Sequence, residues 1–178
     1  MLDIGGGVGA LAFELLDRGM STAIVVEASA AYVAAATEEA TRRAKPVDIV
    51  LGDFVQVSET LPSVDLVSLD RVVCCYPRYE PLLDQALGHA ARGFALSYPH
   101  DRWYVRAAMW FENAKRARKS GFSTFVHPVA HMQEIIREAG FVLARRRFTF
   151  MWTIDVYLRQ APTCPTAASA TNASCARL

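Results

Sequence analysis

The densest chemistry in this chain lies in its first nine residues. In Asp3-Ile4-Gly5-Gly6-Gly7-Val8-Gly9 an acid inside a short apolar run is followed by glycines at alternate positions. Such glycines let the backbone turn tightly and approach a ligand without Cβ clashes. A helix opening directly behind them offers free amide donors and the positive end of its dipole. Glu27 closes the apolar run Ala23-Ile24-Val25-Val26, where a carboxylate can accept both hydroxyls of a ribose. Gly52-Asp53-Phe54 adds a second acid beside an aromatic. There an acid can accept from an adenine amino group while the aromatic packs on the ring face. Asp70-Arg71 close a further apolar run, Val64 to Leu69.

Proton-transfer candidates are fewer. In Tyr98-Pro99-His100-Asp101, His100 is the candidate general base near pH 7, and Asp101 is expected to cap the aromatic helix that follows. His127 reads as a loop residue, His131 as structural and His89 as a surface residue. Tyr76, Arg78 and Tyr79 either line an acceptor pocket or cover the sheet edge. The four cysteines, Cys74, Cys75, Cys164 and Cys175, form no CxxC pair and no zinc spacing. Cys74 and Cys75 read as small buried residues at a strand end, with side chains on opposite faces. No metal site is expected.

These residues require an alternating frame. Helices are expected over Ala10 to Arg18, Ala30 to Ala44 and Glu80 to Ala91. Strands are expected over Met1 to Ile4, Ala23 to Glu27, Asp48 to Asp53, Val64 to Leu69 and Gly93 to Tyr98. The strands are short continuous apolar runs, which suits a parallel sheet covered on both faces. Repeated βα units predict an α/β, doubly wound, mostly parallel sheet. Arg102 to Lys119 reads as a long helix whose stripe of Trp103, Ala107, Trp110 and Ala114 reads as core contacts, with a greasy wall for a planar or lipid-like substrate as the functional alternative. Its basic end, Lys115, Arg116, Arg118 and Lys119, would also suit peripheral contact with a membrane surface. A helix over Val129 to Ala139 precedes two strands, Phe141 to Thr149 and Met151 to Arg159, expected as an antiparallel hairpin that completes seven strands. Residues 161–178, rich in Ala, Thr, Ser and Pro, read as a disordered tail after a domain spanning 1–160.

With 178 residues, 52% hydrophobic, and a formal net charge of +1, the chain fits one globular domain with no general attraction to nucleic acid. Cys74-Cys75-Tyr76-Pro77 is not the Asn/Asp-Pro-Pro-aromatic motif of amino-group nucleic-acid methylases, which also weighs against such a substrate. The start of the chain shows no signal peptide and no run is apolar enough to span a membrane, so the cytoplasm is the expected compartment.

Gly5-x-Gly7-x-x-Ala10 also meets the looser nicotinamide fingerprint, and Glu27 serves either cofactor. Asp3 and Asp53 discriminate, because a dehydrogenase has little use for a charge at either place. The combined set, Asp3-x-Gly5-x-Gly7-x-Gly9, Glu27, Asp53 and Asp70 with the terminal hairpin, resembles the class I S-adenosylmethionine-dependent methyltransferases. A fainter likeness to magnesium-protoporphyrin methyltransferases lies in the downstream pattern. The resemblance implies S-adenosyl-L-methionine as cofactor. Gly5, Gly7 and Gly9 would then line its methionine part, Glu27 its ribose, and Asp53 and Phe54 its adenine, with Asp70 and Arg71 at the fourth strand's end. A small-molecule acceptor would take the methyl by in-line displacement, and His100 would be the base if one is used.

Members of that family carry helices before the first strand, whereas Met1 stands two residues before Asp3. Two alternatives therefore accompany the methyltransferase reading. One is a truncated cofactor-binding domain without activity, and the other, with less support, is a nicotinamide-dependent oxidoreductase.

Overall fold

The computed structural model describes residues 1–117 and 123–160. The expected tail and the end of the long basic helix lie outside them. In chain order the elements are β1 (Leu2–Ile4), α1 (Ala10–Asp17), β2 (Ala23–Glu27), α2 (Ala30–Arg43), β3 (Val47–Leu51), α3 (Phe54–Val57) and β4 (Val64–Asp70). Then follow α4 (Glu80–His89), β5 (Ala90–Pro99), α5 (Trp103–Ala117), α6 (Val129–Glu138), β6 (Phe141–Phe148) and β7 (Trp152–Arg159). All seven strands form one sheet in the order β3-β2-β1-β4-β5-β7-β6. The first five run parallel, and β7 lies antiparallel between β5 and β6. This is the doubly wound sheet with a terminal hairpin that the sequence predicts.

Alternation along β1 separates two apolar clusters, one on each face of the sheet. Leu2 and Ile4 join Val67, Leu69, Leu82, Leu83, Phe94 and Met132 under α4 and α6. Met1 faces the other way, with Phe13 and Leu16 of α1 and Val25 of β2. Asp3 shares that second face but carries a carboxylate. The strand order reverses between β1 and β4, and the crevice outside the carboxyl ends of such strands is where open α/β sheets take their ligands.

Several local expectations are corrected. β3 ends at Leu51 rather than Asp53, because the Asp53 carboxylate caps α3 by accepting from the Val55 amide at 3.1 Å. Helix α4 stops at His89 and β5 begins at once, at Ala90. Cys74 and Cys75 lie not on a strand but on a one-turn 3₁₀ helix, Val73–Cys75, and both thiols approach the Arg71 carbonyl, at 3.4 and 3.5 Å. Asp101 accepts from Arg106 Nε at 2.5 Å. The aromatic stripe of α5 is not core: Trp103 is 81% exposed and Trp110 71%, and Val105 is the one buried residue among the described side chains of that helix. Periodicity reveals that a helix has an apolar face, but not that anything packs on it.

Candidate functional site

The switch point holds a cleft of about 300 Å³ walled by Gly5, Glu27, Gly52, Phe54, Arg71 and Tyr76, among others. Two pairs of the expected positions, Glu27 with Gly7 and Asp53 with Tyr76, are joined beside it by hydrogen bonds. Glu27, at the end of β2, accepts from the Gly7 amide at 3.0 Å and from the Ser29 amide at 2.8 Å. Its carboxylate therefore clamps the glycine turn to the start of α2. Asp53, besides capping α3, accepts from the Tyr76 hydroxyl at 2.6 Å. That bond joins the exit of β3 to the segment after β4, and together with burial it pushes the Tyr76 phenol well above its usual range. Phe54 is 2% exposed, so it serves as packed wall, edge-on to His89.

Beneath the turn lies Asp3, 1% exposed. Its Oδ1 accepts from the Ser68 hydroxyl at 2.6 Å, while Oδ2 is buried with no hydrogen-bond partner among the described residues. Burial pushes its pKa up to about 6; the Ser68 hydrogen bond opposes this, and the nearby Asp70 charge adds to it. A carboxylate in that state is an acceptor in want of a donor.

The glycines divide by purpose. Gly5, Gly7 and Gly9 all have positive φ, and Gly9 is the N-cap of α1. A Cβ on Gly5 would stand 2.5 Å from Val72 Cγ2. Gly6, passed over in the sequence pattern, has ordinary φ, yet its Cβ would come within 2.7 Å of the orphaned Asp3 Oδ2. The clue was available: an acid three residues before a glycine, in a strand too short to turn its carboxylate to solvent.

Along the edge toward β5, Ser97 donates to Asp70 at 2.5 Å and accepts from the Arg71 amide at 2.8 Å. Arg71 holds a left-handed φ of 59°, a conformation that costs a non-glycine residue of order 1 kcal/mol or more. Its guanidinium reaches 5.8 Å from the Trp152 ring. Trp152 in turn helps wall a smaller cavity, about 160 Å³, with Cys74, Pro99, Met109 and Met151. His100 lies on this side, and both of its ring nitrogens are engaged: Nε2 with the Thr149 carbonyl and Nδ1 with the Thr153 hydroxyl, each at 2.9 Å. His127 is buried, which lowers its pKa, and its Nε2 bonds the Val73 carbonyl at 3.1 Å. Tyr79 and His131 bond each other at 2.6 Å, with Tyr79 in the core. Among the described residues no helix is long and apolar enough to cross a membrane, and no group of three or more His, Cys, Asp or Glu is placed to hold a metal ion.

A seven-stranded sheet in this order, with a glycine turn and acids at its switch point, defines the Rossmann-like α/β methyltransferase fold. Solved structures agree. The chain is 20% identical to magnesium protoporphyrin IX methyltransferase from Synechocystis PCC 6803 with bound S-adenosylhomocysteine; the match has a TM-score of 0.74 and covers 89% of this chain and 73% of that one. An O-methyltransferase family protein from Burkholderia thailandensis gives 16% identity and a TM-score of 0.73 over 90% and 51% of the two chains. A putative sarcosine dimethylglycine methyltransferase from Galdieria sulphuraria gives 10% and 0.68 over 89% and 77%. Residues 1–93 match the family described as methyltransferase domain, and the chain belongs to that family. No curated protein matches it in sequence.

Proposed function

We propose that this chain binds S-adenosyl-L-methionine in the switch-point cleft and transfers its methyl group to a small apolar acceptor. The observation that carries the reading is the orphaned Oδ2 of Asp3, a buried acceptor under Gly6, where a Cβ would collide with it. It fits the ammonium of an amino-acid moiety. A carboxylate held by two backbone amides, at Glu27, keeps lone pairs for a ribose diol. Asp53, engaged through Oδ1, keeps Oδ2 for an adenine amino group, with Phe54 as the wall behind it. Gly5, Gly7 and Gly9 shape the turn, and Asp70 and Arg71 stand at the acceptor side.

The cofactor supplies a methyl already activated on a sulfonium. What remains for the protein is to orient an acceptor in line and keep water out. The cavity beside Trp152 is suited to that work, with two methionines, a proline and a tryptophan among its walls and Glu112 and Arg116 also lining it. The substrates in the relatives' names range from a porphyrin macrocycle to small amino acids, so they select no acceptor. His100 is better placed to brace the hairpin than to take a proton, since its engaged Nδ1 must first leave Thr153. If it is a brace, His100→Ala leaves the pH profile of transfer unchanged in shape.

Calorimetric titration of the chain with S-adenosylhomocysteine, with NAD alongside, tests the reading. Micromolar binding of the first alone is the expected result. Binding of NAD would return the site to the oxidoreductase reading. Binding of S-adenosylhomocysteine without methyl transfer to any of a panel of apolar acceptors would favour a cofactor-binding domain without activity.

A further inference from the structure

Two adjacent cysteines stand where the cofactor cleft and the cavity beside Trp152 come together. Cys75 lines the cleft, and Cys74 lines the smaller cavity. Both are free thiols. The 3₁₀ turn brings both to the same side, where each approaches the carbonyl of Arg71. The turn is itself held from outside, by the Phe125 amide on the Cys74 carbonyl at 2.8 Å and by His127 on the Val73 carbonyl. The neighbouring Cys74 thiol stabilises the Cys75 thiolate and lowers its pKa, while Cys74 is pushed up. One member of the pair is thereby the better nucleophile and the other keeps its proton.

We infer that Cys74 and Cys75 form a bidentate dithiol site for a trivalent arsenical, and that occupying it obstructs the cofactor cleft. Two thiols on one short turn suit a soft ion that prefers sulfur ligands. With phenylarsine oxide, the arsenic–oxygen bond gives way to two arsenic–sulfur bonds. The two thiol protons leave with the oxygen as one water, and arsenic stays trivalent. The obstruction rests on the cofactor reading above; the dithiol chemistry does not.

The test uses the whole chain carrying Cys164→Ser and Cys175→Ser, so that Cys74 and Cys75 are its remaining cysteines. Intact-mass measurement after phenylarsine oxide should show one adduct that survives excess monothiol and is removed by a dithiol. Adding Cys74→Ser or Cys75→Ser should leave an adduct that monothiol strips. An adduct stripped from the parent, or equally resistant in the single variants, would overturn the site. In the adduct, affinity for S-adenosylhomocysteine should fall by about tenfold or more. Unchanged affinity would overturn the obstruction alone. A chain that takes the arsenical but never binds S-adenosylhomocysteine would instead count against the cofactor reading.

Discussion

The two sides of the sheet's carboxyl edge are built on different terms. Around β1, β2 and β3, side chains bond the backbone of neighbouring segments, Glu27 to Gly7 and Ser29 and Asp53 to Val55, and a Cβ would collide at Gly5, Gly6 and Gly52. Around α5 and the β6–β7 turn, large aromatics stand in solvent, with Trp103, Phe150 and Trp110 between 71% and 81% exposed. A site whose shape is set by backbone is preorganised for one ligand. The other side, made of a helix in which Val105 is the one buried residue among those described and a hairpin tip, exposes apolar surface among the described residues.

The largest expected effect sharpens that contrast. Phe54→Ala should cost about 3–5 kcal/mol of stability, read from denaturant unfolding, because a nearly fully buried ring leaves a cavity. Loss of under about 1 kcal/mol would mean the cofactor wall is as loose as α5.

Asp3→Asn should separate folding from binding. Folded Asp3 holds its proton up to about pH 6, against 3.8 as the ordinary value. The folded state therefore binds the proton more tightly than the unfolded one. This contribution to stability is fully present below 3.8 and is lost as pH climbs through about 6. The asparagine variant should lack that decline and gain up to about 3 kcal/mol at pH 7, yet bind S-adenosylhomocysteine more weakly. A variant that is both less stable and equally competent to bind would break the assignment of Asp3 to the ligand.

Glu27→Gln removes the charge but keeps the shape. Affinity should drop by about 1.5–3 kcal/mol, the range for hydrogen bonds to a charged group. Titration that shows no change would detach Glu27 from the ribose and leave it as a clamp on the turn. Gly6→Ala should cost about 1–3 kcal/mol through overpacking against Asp3, and Asp3→Asn should not relieve it, since the asparagine side chain keeps the same bulk. The smallest effect belongs to the far side: Trp110→Ala should alter stability by less than about 0.5 kcal/mol. A larger loss would show that the helix packs on something.

Much of the switch-point cleft was legible in the sequence because it is local. The glycine turn, the strand-end acids and the apolar runs each lie within a few residues, where steric and hydrogen-bonding preferences act directly. Asp53 shows the limit of that reading. Its place after a strand was visible, but its bond to Tyr76 joins residues from two different crossovers. Gly6 was passed over because its reason is the Asp3 carboxylate below it rather than its own φ. Cys74 and Cys75 were put on opposite faces because strand alternation was applied where the backbone makes a 3₁₀ turn.

What the sequence determined alone was the order of elements, the sheet they build and the family they belong to, since periodicity and glycine placement encode these at short range. Only the tertiary structure decided which groups remain unsatisfied and which surfaces remain bare. Among the described residues Asp3 Oδ2 has no partner and the indole of Trp110 is largely exposed, because of what other segments place beside them. Burial and hydrogen bonding are sums over neighbours distant in the chain, and no single stretch of sequence contains them.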